Sequence, residues 1–103
     1  GGSAPPPLAE AIRAGHGELV TLLLSANADA AAVDASAGET LLALAVDSCA
    51  PDAPAIVSAL LAHGAQADAR GSRGRSARER HRAATSTRDD CRAILAEIGN
   101  RLP

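Results

Sequence analysis

The sequence predicts an all-α protein, a short stack of helix–turn–helix units joined by polar loops, and three observations lead there. The chain has 103 residues and is 47% apolar, yet it contains no Phe, Trp, Tyr or Met. Its core must be made of Leu, Ile, Val and Ala, which favours closely approaching helices in one small domain over a thick globule. Second, Val and Ile are few and period-2 alternation is absent, so the strands of a sandwich or barrel are not expected. Third, the sequence repeats. "LVTLLLSANAD" at 19–29 aligns with "IVSALLAHGAQ" at 56–66 and more weakly with "DCRAILAEIGN" at 90–100, so Leu23-Leu24, Leu60-Leu61 and Ile94-Leu95 recur at separations of 37 and 34. Neither helix of such a pair buries its apolar face alone, so the pairs must stack.

The elements follow in order. Gly1-Gly2-Ser3 reads as a cloning remnant and Pro5-Pro6-Pro7 as the end of a linker, so the domain is placed at residues 7–100, with 101–103 a tail. The first unit, 7–33, begins with a helix over Pro7–Ala14, since proline is tolerated at a helix start. Gly15-His16-Gly17 then breaks the run, because glycine costs roughly 1 kcal/mol against alanine inside a helix. A second helix carries Leu19-Val20 and Leu23-Leu24 and ends at Asn27, a residue that accepts the left-handed conformation. In the second unit, 34–69, a helix over Thr40–Asp47 is followed by "CAPDAPA", in which Asp52 is the expected N-cap of the next helix. The third unit, 70–100, opens with a polar helix over Ser76–Ala84. Ser76 caps it and Glu79 completes a capping box. Such a polar helix suits the water-facing end of a stack.

Charge divides the chain. Residues 1–69 carry one base, Arg13, against eight acids, a net of −7; residues 70–103 carry nine arginines against four acids, a net of +5. This polarity bears on surfaces and partners rather than on fold. The two cysteines, Cys49 and Cys91, are distant and form no CxxC motif, so free thiols and a reducing intracellular setting, cytoplasmic or nuclear, are expected. No apolar run approaches the ~20 residues of a membrane span, and no signal peptide is evident.

The pattern of Pro7-Leu8, Ala11, Gly15-His16, Leu19-Val20, Leu23-Leu24 and Ala28-Asp29 in the first unit resembles the ankyrin repeat. So does that of Asp34, Gly38, Thr40, Leu42, Ala45, Ile56-Val57, Leu60-Leu61 and Gly64-Ala65 in the second. The resemblance covers about residues 5–100, with a degenerate third repeat. Leu41 and Ala43 depart from the Pro and His of the family's "TPLH". It implies a short ankyrin-type solenoid working as a non-catalytic protein-interaction module. Its partner would be held on the concave face of loop tips and first helices. Carried over by position, that face comprises Glu10, Arg13, Ser36, Glu39, Leu44, Asp47, Arg73, Arg75 and Arg80.

No catalytic or cofactor motif appears, and an enzyme is not expected. His16 belongs to the turn motif, His63 precedes the helix-ending Gly64, and His81 lies among arginines. With Cys49 and Cys91 they lack metal-ligand spacing, so no metal is expected. Cys91 reads as a small buried hydrophobe. The segment "RGSRGRSARERHR" is either a solvated face or a site for an acidic or phosphorylated segment of a protein or peptide. Nucleic acid is disfavoured, since no aromatic is available to stack bases and the acidic units would repel a polyanion. Docking within a longer parent protein is the alternative function, and the isolated chain is expected to be monomeric.

Overall fold

The computed structural model describes residues 7–34 and 37–103; the N-terminal remnant and linker read at 1–6 and the candidate Ser36 lie outside the described residues. Helices α1 (Pro7–Ala14), α2 (Gly17–Ser25), α3 (Leu41–Asp47), α4 (Ala53–Ala62), α5 (Ala77–Thr87) and α6 (Arg92–Arg101) form three consecutive pairs. The first helices pack in one row, α3 between α1 and α5, and the second helices in another, α4 between α2 and α6. Among the described residues no helix is long and apolar enough to cross a membrane.

The ends of the first four helices fall close to where the sequence placed them, and hydrogen bonds show why. Past α1, Gly15 N–H donates to the Ile12 carbonyl (3.0 Å) and His16 N–H to that of Ala11 (3.0 Å). This closure needs a left-handed residue, and Gly15 has φ 76°. Asn27, at φ 72°, closes α2 in the same way through Leu24 and Leu23, and residue 64 closes α4 through Leu61 and Leu60. N-termini are equally local. Thr40 Oγ1 accepts from Ala43 N–H at 3.2 Å. Ser76 and Glu79 form the expected capping box, and α5 runs three residues beyond its expected end.

Asp52 stands at the N-cap position of α4, as expected, but it has helical backbone angles and its side chain makes no capping bond. Its Oδ2 instead accepts from Gly17 N–H at 3.3 Å, at the start of α2. Helix α4 starts with Pro54 in its first turn, a position where a missing donor is harmless.

Two short antiparallel strands, β1 (Val33–Asp34) and β2 (Glu39–Thr40), form a hairpin leading into α3. Strands of two residues carry no legible alternation, so the sequence could not announce them. A matching bridge, Arg70 to Ser76, leads into α5. The two turns touch through backbone, Arg73 N–H donating to the Gly38 carbonyl at 3.1 Å. Gly71 makes the approach feasible: a Cβ there would strike the Gly38 carbonyl oxygen and lie 2.9 Å from Glu39 Cα.

The core contains Ile12, Val20, Leu24, Leu41, Leu42, Val46, Ile56, Val57 and Leu60, continued into the third pair by Leu95 and Ile98. Apart from these two, the third pair buries only Ala77, Ala84 and Cys91 as apolar residues. At roughly 1.5–3 kcal/mol per large side chain, Leu95 and Ile98 give it an apolar hold of about 3–6 kcal/mol. The rest of its attachment is polar and covalent.

Candidate partner-binding face

Five of the nine residues assigned to the face are engaged in ion pairs between consecutive pairs of helices. Arg13 of α1 reaches Asp34 of β1, and Asp34 is only 2% exposed. Glu39 of β2 is likewise buried and accepts from Arg75 Nη2. Asp47, ending α3, accepts from Arg80 Nη2 of α5, and its backbone carbonyl accepts from Arg88 Nη1 at 2.9 Å. Three of the groups have an unmatched atom: Glu39 Oε2, Arg75 Nε and Arg80 Nε are buried without a hydrogen-bond partner. Leu44 is half-buried against the core. Glu10 and Arg73 are exposed, and no described residue pairs with either side chain.

The charge division of the sequence therefore has an internal use. Among the described residues eight ion pairs join arginines to acids, and four of them, Arg13–Asp34, Arg75–Glu39, Arg78–Asp68 and Arg80–Asp47, reach from one unit into the next. Among the described residues this leaves Arg73 and Arg82 unpaired against Glu10, Glu18, Asp29 and Asp52, a balance that equals the net charge of −2. Three acids of the first 69 residues, Glu39, Asp47 and Asp68, lie against arginines of the last 34, Arg75, Arg80 and Arg78. These pairs join the second unit to the third, and the opposite signs of those two units were their signal in the sequence.

Two exposed carboxylates are shifted downward. Asp68 is held below its ordinary value by the hydrogen bond from Arg78 Nε (2.7 Å), which in turn raises Arg78. Glu79 is lowered first by the Ser76 backbone N–H of the capping box. The Nε2–H of His81 donates to the Leu95 carbonyl at 2.7 Å, tying α5 to α6. This bond, rather than the surrounding arginines, defines its environment. His16 and His63 are exposed.

The expectation of free thiols is overturned. Cys49, in the α3–α4 loop, and Cys91, in the 3₁₀ turn Asp89–Cys91 before α6, form a disulfide with Cα atoms 5.6 Å apart. Their distance in sequence misled, because both fall between the two helices of consecutive units, and stacking brings equivalent positions together. Cys91 is buried as expected, but as half of a cross-link. With both sulfurs bonded, the cysteines do not indicate a reducing compartment. Cys49, Cys91 and Asp90 are also the grouping of metal-type ligands found among the described residues, and both sulfurs are spent in the disulfide.

Beside the α1–α2 turn lies a cleft of about 380 Å³, walled by His16, Glu18, Leu19 and Asp52. The assigned face does not include it. No family model, curated protein or solved structure matches the chain.

Proposed function

We propose that the chain is a three-unit ankyrin-like solenoid and acts as a non-catalytic module that binds a protein or peptide along the α1–α3–α5 row and its adjoining turns. The observation carrying this reading is the pairing of an equivalent turn before α3 and before α5, bonded from Arg73 N–H to the Gly38 carbonyl beside one row of first helices. A row of helices edged by aligned turns is a concave, rigid surface of the kind that holds extended partners. The ion pairs divide the assigned residues by role. Arg13, Glu39, Asp47, Arg75 and Arg80 fix the stack, while Glu10, Leu44 and Arg73 keep side chains to offer to a ligand, joined in sequence by Ser36. The engagement of Arg75 and Arg80 weakens the nucleic-acid alternative further, since their charge is already neutralised.

The test is selection of binding peptides from a random library against the intact chain, followed by competition with variants. Glu10→Ala and Arg73→Ala should each weaken a selected ligand while leaving the melting temperature within a few degrees, and Leu44→Ala, half-buried against the core, should weaken it with some loss of stability. An ankyrin-like binding row is refuted if selected ligands bind all three variants as tightly as the parent.

A further inference from the structure

Helix α2 has a second face that the stack leaves uncovered. Val20 and Leu24 are buried against α1 and α4, whereas Leu19 is 42% and Leu22 66% exposed. These two, three residues apart, stand side by side on the helix surface, with Glu18 one turn before Leu22. At the foot of the stripe Glu18, Leu19 and Asp52 line the cleft named above, and the same two acids line an adjoining hollow with Thr21 and Ala55. Among the described residues no arginine pairs with Glu18 or Asp52, although every acid of the third unit is paired. Asp52 is held in place by the Gly17 N–H.

We infer that this surface docks a basic amphipathic helix. Two leucines at helical spacing match apolar side chains repeating every three or four residues on a partner, and the paired acids match one Arg or Lys on its flank. The long aliphatic stem of that cation would lie over Leu19 while its head reaches Glu18 and Asp52. A second copy of the chain is a poor occupant. Its unpaired cations, Arg73 and Arg82, lie in the third unit, whereas its exposed large apolar side chains, Leu19, Leu22 and Val33, lie in the first and at its edge. Two copies meeting through α2 would oppose acid to acid. This surface belongs to the α2–α4–α6 row, so it stands independently of the binding row proposed above.

The experiment titrates the disulfide-bonded chain, labelled for amide NMR, with a synthetic amphipathic helix of Leu, Ala and Arg, and separately with its twin bearing Glu for Arg. Shifts should gather at residues 17–26 and 52–55 with the basic peptide only. Leu22→Ser, an exposed and fold-neutral change, should weaken binding about tenfold. Glu18→Gln combined with Asp52→Asn should weaken it roughly fivefold or more and flatten its salt dependence. Glu97→Gln, at an exposed acid of α6, should bind as the parent does. Equal binding of the acidic twin, shifts elsewhere, unchanged affinity of the Leu22 variant, or no shift at millimolar peptide would each overturn the inference. So would the same amides shifting with protein concentration alone, which would make a second copy the occupant.

Discussion

Reducing the Cys49–Cys91 disulfide should cost about 4 kcal/mol, more than any single side-chain contact of the third unit. The bond closes a loop with a sequence separation of 42. In the chain-entropy model that loop length removes about 13 cal/mol/K from the unfolded ensemble, or about 4 kcal/mol at room temperature. For a domain of this size the loss corresponds to a fall in Tm of roughly 15–20 °C. The assay is thermal unfolding by far-ultraviolet circular dichroism with and without a dithiol reductant, beside a Cys49→Ala, Cys91→Ala double variant. The parent should fall to the melting temperature of the variant, and the variant should ignore the reductant. Backbone geometry adds a finer expectation. Cys49 sits at φ 54°, a conformation costing a non-glycine residue roughly 1–2 kcal/mol. Cys49→Gly should therefore be about 1 kcal/mol more stable than Cys91→Ala, although both break the bond. Two thiols titrating in the unreduced native chain, or a melting temperature indifferent to reductant, would refute the reasoning.

Other expectations follow from single contacts. Leu60→Ala, at a fully buried site, should cost roughly 2–5 kcal/mol in denaturant unfolding. Arg75→Ala should cost about 2 kcal/mol by stranding the buried Glu39 carboxylate, less than a fully buried pair because the Arg75 side chain is 43% exposed. Replacing both partners by Met should recover most of that loss, and a double variant no more stable than the single one would contradict it. Gly71→Ala should destabilise by about 1–3 kcal/mol through collision with Gly38 and Glu39. Gly74→Ala, at φ 78° with open space around its Cβ, should lose only about 1 kcal/mol. Asp68 and Glu79 are lowered on folding, so their contribution is present above the ordinary carboxylate values of 3.8 and 4.5 and is lost as pH falls through the lower folded values. Melting temperatures taken down an acid series should show that loss, and Asp68→Asn with Glu79→Gln should flatten it.

Helix positions were legible because their causes are local. Gly15 and Asn27 terminate helices through their own backbone angles, and Thr40 and Ser76 start them through bonds three residues away. Asp52 failed for the complementary reason: a carboxylate suited to capping its own helix was captured by Gly17 of another unit, which no local pattern reveals. The disulfide stayed hidden because the offset of 34 between the second and third units sets Cys91 opposite Val57, whereas the cysteines are 42 apart and meet because α5, at 11 residues, is longer than α3, at 7. The same offset, within two residues, brings Glu39 near Arg75 and Asp47 near Arg80, and so separates residues that fix the stack from those left to bind. Within the repeat, nothing in the sequence set Leu19 and Leu22 apart from the buried Leu24 of the same helix. At the first unit the neighbour that would cover that side is absent among the described residues, and Leu22 stays in solvent.

The absence of aromatic residues gives the cross-link an optical consequence. With no Trp, Tyr or Phe, the cystine at 49 and 91 is the sole near-ultraviolet chromophore of the chain. Any circular dichroism in that region arises from this one bond and its chiral surroundings, free of ring bands. The attachment of the third helix pair to the second thus carries its own reporter. Reduction, or rearrangement around the cystine, can be followed by light in the unlabelled native protein, residue-specific by default.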